Sequence, residues 1–548
     1  HTMIEVELSN IWGSVSLPDL LSGEKDLFDA HMQLRTNVPD GPDFLGWLNA
    51  PEGVMARAML AIGKAAEKIA ELGDTLVVVG SGDAPLAAQA AIRALGKEGS
   101  VRLIFAGTSL SASAYEQLCS RLEGQDFCLL LIAQSAVDME CGVASRAVRW
   151  LLDRHYGPEA RQHIFVCAPK DSLLHGMAQE EGYTFLAQPA QLGCADSALS
   201  PAALLPMAVS GIEPLSVLEG AGQAYHDYDL RAFENPVWMY AGARHALELR
   251  TRRTELLGIF EPDCMALGRW WASSTARRSC RGGYGVLPVP AELPGALDTL
   301  DAMLDGSRSA FETFLRIPLP ARRRNIELDW KDYDDLGYLS GHSVGEAEGA
   351  MFDALVQTHA SLDVPLIVLS AEQLDAPQLG ELFYFFELTA ALCAATDGLS
   401  PFDRKFSSPT RAQTAALLQG IERIGDGLVG CHSDHAAVLA AVHLAGIRAV
   451  LAEVMEQHRL AVRCVEDAGL QAHGAAGRDA KRQVSHALVG EHVLHDAAGG
   501  AHDLDGLAGV VVRHVDGCFL DRLELVAVLV VLVHDLRTAD LELAAFAA

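Results

Sequence analysis

Along the first 420 residues, short apolar runs alternate with longer stretches whose apolar positions recur at helical spacing. Thr75–Val79 is a β-branched run closed by Gly80, and an alanine-rich helical stretch, Pro85–Leu95, follows it. Val101–Phe105, Phe127–Ile132 and His163–Cys167 read as further strands, with helical patterns between them. Runs that are apolar throughout suit strands covered on both faces, as in a parallel sheet. A second region of the same kind spans about residues 255–400, with strands at Leu256–Phe260 and Pro365–Leu369 and helices over 298–315 and 376–396. The pattern predicts an α/β protein with two doubly wound parallel sheets, each an αβα sandwich. Open sheets of this kind bind ligands beyond the carboxyl ends of their strands. The loops to inspect are those after Val79, Ile132, Ala168 and Phe260.

The pattern changes near residue 420. Residues 421–548 contain no Pro, Asn, Trp or Tyr, although the chain has 22 prolines. At an average frequency of about 5%, six or seven prolines are expected there. Eleven of the 20 histidines fall in this stretch, with one lysine. The predicted organisation is therefore an N-terminal segment (1–50), a first subdomain (51–215), a second subdomain with C-terminal helices (216–420) and a compositionally anomalous extension (421–548). The extension reads as an out-of-frame or opposite-strand translation of GC-rich DNA. Resequencing the locus tests that reading, and a clean in-frame continuation counts against it.

Composition narrows the function. The 548 residues carry 42 Lys and Arg against 72 Asp and Glu, a net charge of −30. So acidic a chain repels polyphosphate, which argues against nucleic acid as a partner. The longest apolar run, Leu525–Val533, is about half the ~18 residues of a membrane span, so no membrane partner is expected. No basic stretch precedes an apolar one near the start, where His1 precedes a candidate initiator, Met3. The 11 cysteines are scattered and never in C-x-x-C spacing, which predicts reduced thiols in a cytoplasmic protein. Glu491, His492, His495, Asp496, His502 and Asp503 have ligand-like types, but they lie in the His-rich extension and read as composition, so no metal is predicted. Arg322–Arg324 reads as a solvated basic patch.

Candidate chemistry begins at the turn Val79-Gly80-Ser81-Gly82-Asp83-Ala84. It follows a strand and opens a helix, the setting in which backbone N–H groups hold an anion. Around it stand Asp43-Phe44-Leu45-Gly46-Trp47-Leu48, Phe105-Ala106-Gly107-Thr108-Ser109-Leu110-Ser111, Glu234-Asn235-Pro236, Glu255-Leu256-Leu257, Phe260-Glu261-Pro262 and Trp270-Trp271. Phe311-Glu312-Thr313, Tyr384-Phe385-Phe386-Glu387 and Pro401-Phe402-Asp403 complete the series. In order and spacing these segments resemble the bacterial type of glucose-6-phosphate isomerase over about residues 1–420. The resemblance implies two SIS-type sheets per chain, a cofactor-free cytoplasmic homodimer, and interconversion of glucose 6-phosphate and fructose 6-phosphate.

That chemistry needs a phosphate cradle, a carboxylate that moves a proton between C1 and C2, and a cation beside the enediolate. The family's cradle reads S-K-S-G-T-T-T-E; here the stretch is Ala133-Gln134-Ser135-Ala136-Val137-Asp138-Met139-Glu140. One serine and the closing glutamate remain, and Asp138 stands where a neutral hydroxyl is expected. The family's G-I-G-G-S becomes Gly80-Ser81-Gly82-Asp83-Ala84, which adds a second acid. The family arginine in G-G-R-Y-S has no counterpart in Gly193-Cys194-Ala195-Asp196-Ser197. The family base, in G-E-S-E-G-K, falls by direct count on Arg277, which cannot accept a proton near neutrality. No histidine occurs between His245 and His342 to match the family's T-D-L-H, and the C-terminal lysine aligns with Arg411. Lys405 and Glu292 are the nearby substitutes, and His359 reads as a leftover loop residue. The expectation is a scaffold without catalytic residues. Gly80, Ser81, Gly82, Ser135, Glu140 and Arg411 are left as candidate sugar-phosphate contacts. A non-catalytic binding or interaction protein and a decaying gene product are the rival readings.

Overall fold

The computed structural model describes residues 4–36, 54–96, 99, 101–133, 137–188, 197–280, 282–305, 307–317, 324–401, 408, 410–415 and 417–418. The extension, and with it the Glu491–Asp503 group, lies outside the described residues. So do Ser135, Asp196, Arg322, Arg323, Asp403 and Lys405.

The chain opens with β1 (Glu5–Asn10), α1 (Leu17–Ser22), α2 (Glu24–Thr36) and α3 (Val54–Leu72). A first run of alternating elements follows: β2 (Thr75–Val79), α4 (Asp83–Leu95), β3 (Arg102–Ala106), α5 (Ala112–Leu122), β4 (Phe127–Ile132), α6 (Met139–Tyr156), β5 (Ile164–Ala168), α7 (Leu173–Glu181) and β6 (Thr184–Ala187). Helices α8 (Pro201–Val209), α9 (Pro214–Asp227) and α10 (Pro236–Leu249) lead to the second run. That run is β7 (Thr254–Ile259), α11 (Met265–Ser279), β8 (Leu287–Glu292), α12 (Leu297–Leu304), β9 (Ala310–Arg316), α13 (Val344–Ser361), β10 (Leu366–Ser370) and α14 (Ala376–Thr396).

The first sheet has the order β3-β2-β4-β5-β6 and is parallel throughout. The order reverses between β2 and β4, the kind of switch point at which ligands bind. The second sheet has the order β1-β10-β9-β7-β8. Four of its strands are parallel, and β1 joins the edge antiparallel to β10, with Glu5 opposite Ser370.

Strand periodicity explains the layers. Alternate side chains point to opposite faces. Leu76, Val78, Leu130 and Phe165 enter one core, and Val77, Val79, Leu129 and Val166 enter another. In the second sheet Leu257, Phe311 and Ile367 join the first of these cores, while Leu256, Phe314 and Leu366 face a third. One apolar layer is thus shared by both sheets. Its central helix, α14, is buried from Gln378 to Ala394. Among the described residues α14 alone is long and apolar enough to cross a membrane, and it serves as this core helix.

One predicted element is corrected. The helix expected over 298–315 is α12 followed by β9. Leu304 ends the helix, and Ala310–Leu315 is buried on both faces between β10 and β7. An apolar run of that length fits a buried helix segment or a buried strand equally by periodicity.

Candidate functional site: the loops beyond the carboxyl ends of the strands

β2 ends at Val79 and the chain turns through Gly80, Ser81 and Gly82 into α4. Gly82 has φ +97°, a conformation that favours glycine. A Cβ at Gly80 would lie 2.9 Å from the Ile132 Cβ, so only glycine lets the turn pass β4. Ser81, half-buried, donates its hydroxyl to the Asp138 carboxylate. Asp138 is the N-cap of α6, the helix that follows β4.

Arg411, in the helical residues 410–415, reaches the same place. Its Nη1 lies 3.5 Å from Asp138 Oδ2, and its Nε donates to Glu140 Oε2 at 3.2 Å. Burial raises the Glu140 carboxyl, but its own backbone N–H and Arg411 outweigh that and hold it below the usual carboxylate range. Tyr115 Oη donates to the backbone carbonyls of Ser109, at 2.7 Å, and Glu140, at 3.1 Å, joining the loop after β3 to α6. Gly80, Ser81, Gly82, Glu140 and Arg411 are therefore brought together. Asp138, which the sequence marked only as an intruding acid, lies at the centre of the group.

Behind this rim is a buried ionic network that sequence reasoning missed. Asp83, the first residue of α4, accepts from Ser273 Oγ at 2.8 Å and from Arg278 Nη1 at 3.3 Å, both on α11. Arg278 Nη2 donates to Glu387 Oε1 on α14 at 3.3 Å. Glu387 also accepts from the Ala198 N–H at 3.0 Å and from Ser197 Oγ at 3.2 Å. Asp83, Arg278 and Glu387 have no exposed surface. Burial pushes the Glu387 carboxyl up, and Arg278 pulls it back. Arg277, at the position of the family base, is 31% exposed with its Nε 3.9 Å from Asp83. A signal for this network was present. Glu381 and Glu387 are the charged residues of a helix that is otherwise uncharged, and a buried acid is almost always paired. Glu381 meets the Tyr228 hydroxyl and the Ile4 N–H.

His359 is corrected from a loop residue to a fully buried one in the last turn of α13. Its Nδ1 is 2.5 Å from Glu312 Oε2 and its Nε2 is 2.8 Å from Asp301 Oδ1. Glu292, the alternative carboxylate, is exposed at the end of β8. Arg324 pairs with Glu327 on the surface.

Chemically, the four acids around the glycine turn and α11 are engaged, whereas Glu292 stands exposed. Asp83 and Glu387 hold Arg278, and Asp138 and Glu140 hold Arg411. The residue at the expected base position is Arg277, and a guanidinium donates hydrogen bonds but accepts none.

No family model matches the chain. Curated relatives do. A glucose-6-phosphate isomerase from Listeria monocytogenes is 32% identical over 403 residues, which are 71% of this chain and 90% of the relative. One from Bacillus cytotoxicus is 31% identical over 403 residues, with the same coverage of 71% and 90%. Among solved structures, a hypothetical protein from Thermus thermophilus superimposes with a TM-score of 0.68 at 19% identity, covering 76% of this chain and 99% of that one. A glucose-6-phosphate isomerase from Chlamydia trachomatis superimposes with a TM-score of 0.59 at 13% identity, covering 78% and 88%. At those identities the structures speak to the fold alone.

Proposed function

The chain belongs to the glucose-6-phosphate isomerase family, and from that premise we propose that it keeps the family's cleft while its aldose–ketose isomerase activity is reduced by orders of magnitude. The observation that carries this reading is that an arginine stands at the expected base position while the buried acids Asp83 and Glu387 are tied to Arg278. Moving a proton between C1 and C2 of a sugar phosphate requires a carboxylate free to take it. Asp83 and Glu387 are instead buried against one guanidinium. Arg277 occupies the expected base position and cannot take the proton. Loss of a general base costs roughly 10²–10⁴ in rate.

The rival reading of a decaying gene product is disfavoured by the pairing itself. Asp83 and Arg278 stand 195 positions apart in sequence and meet in a site closed to water. Asp138 and Arg411 likewise meet across the rim. Unselected substitutions would leave charges unmatched. Family membership also supports a cytoplasmic location and a homodimer. A coupled assay with fructose 6-phosphate tests the central claim. Turnover is expected at or below about one-thousandth of a competent family member, and ordinary turnover overturns the reading.

A further inference from the structure

We propose that Asp138 is a built-in anion and the residue that sets the cleft's specificity: its carboxylate fills the position in which a ligand's phosphate would be held, and so excludes phosphate dianions. The inference deepens the reading above and rests on it.

Three observations carry it. First, a hydroxyl and a guanidinium suited to grip an anion both reach one carboxylate, the guanidinium also hydrogen-bonding the neighbouring Glu140. Ser81, in the glycine turn after β2, donates its hydroxyl to Asp138. Arg411, arriving from the far end of the described chain, places Nη1 3.5 Å from Asp138 Oδ2. A hydroxyl and a guanidinium around one oxygen pair is the contact set that a phosphate would otherwise receive.

Second, Asp138 is not employed as a helix cap. An N-cap aspartate ordinarily accepts from the N–H groups of the first turn. Asp138 has the extended backbone of an N-cap, φ −61° and ψ 150°, yet its side chain makes no capping bond. Its carboxylate engages Ser81 and Arg411 instead.

Third, the cation is already outnumbered without any ligand. Arg411 contacts both Asp138 and Glu140. Among the described residues, one cation facing two carboxylates has no positive charge left for a dianion, which would enter against net negative charge. The position is also reachable, since Asp138 is 28% exposed and Arg411 39%.

The test uses the full chain as wild type, Asp138→Asn and Asp138→Ser. Inorganic phosphate, fructose 6-phosphate and fructose are titrated into each by calorimetry, with thermal melts to check folding. Wild type is expected to bind fructose 6-phosphate no more tightly than fructose, and inorganic phosphate without measurable heat. Removing the charge is expected to tighten phosphate and fructose 6-phosphate binding by about tenfold or more and to leave fructose unchanged. Asp138→Asn keeps the shape and changes the charge, and Asp138→Ser also opens space.

If the folded variants bind phosphate no better than wild type, the proposal is overturned. Wild type preferring fructose 6-phosphate over fructose by tenfold overturns it whether or not either variant folds. Turnover is read separately. Ordinary turnover by wild type defeats the reading of reduced isomerase activity, whereas unchanged phosphate binding defeats only the role given to Asp138.

Discussion

One residue of offset decides what the sequence could tell about the cleft. Counting from Trp270-Trp271 leads to Arg277, which is partly exposed, while the side chain that organises the interior is its neighbour Arg278. Successive residues of a helix are about 100° apart around its axis, so adjacent positions face different surroundings. Linear matching carries no such information. The glycine turn was legible because Gly80 and Gly82 answer local steric demands written in the chain itself. His359 was not, because Asp301 and Glu312 reach it from other elements.

That histidine supports a pH prediction. A neutral imidazole has one N–H, so carboxylates at both ring nitrogens favour the imidazolium. Burial lowers the His359 pKa, but Glu312 and then Asp301 outweigh it and raise the value above 6.5. Burial also raises the Glu312 carboxyl, against the pull of His359. With the folded pKa above the unfolded one, the clamp contributes fully below about pH 6.5 and is lost as the pH rises through the folded value. His359→Gln should therefore cost about 1.5–3 kcal/mol at pH 6 and less at pH 9, measured by urea denaturation at the two pH values. An equal cost at both would show that the imidazolium contributes nothing particular.

At the scale of elements, strands between glycine turns were readable, and contacts between distant elements were not. The sequence pattern reads β9 as the end of a helix because Ala310–Leu315 is buried on both faces and shows neither period clearly. The N-terminal strand β1 finds its partner, β10, some 360 positions away, and nothing local in Glu5–Asn10 announces that edge. The crossing of α9 and α14 is likewise invisible in the sequence. There the backbones approach so closely that a Cβ at Gly220 would lie 1.8 Å from the Pro377 carbonyl oxygen, and one at Gly380 1.9 Å from that of Val217. In both cases the obstacle is backbone, which no rotamer change relieves. Gly380→Ala should push the two helices apart and cost at least the 1–3 kcal/mol typical of overpacking, read as a lower midpoint in thermal or urea unfolding. The same substitution at Gly345, on the exposed start of α13 with nothing within 4 Å, should change stability by less than about 1 kcal/mol. Equal effects at the two sites would refute the close crossing.

For the molecule as a whole, the double α/β architecture was legible because strand periodicity and turn chemistry are local and repeat along the chain. What joins the two sheets was less so. They share one apolar layer, and Arg278 bridges Asp83 of the first sheet's α4 to Glu387 of α14, which packs in that layer. A buried ion cluster of this kind is weak evidence for net stabilisation, since desolvation offsets much of the attraction, but breaking it by removing one partner is costly. Arg278→Met should leave Glu387 buried without its cation and Asp83 with only the more distant Arg277, and destabilise the protein by about 3–5 kcal/mol. Combining it with Asp83→Asn and Glu387→Gln removes both stranded charges and should recover a substantial part of that loss. Urea unfolding of the single and triple variants measures both effects. A neutral Arg278→Met would mean that Asp83 and Glu387 do not depend on the guanidinium. In that case the acids of the cleft are freer than proposed, and the argument for reduced proton transfer would lose its main support. A large loss followed by recovery would instead fit a cleft whose interior was rebuilt as a matched set rather than eroded one position at a time.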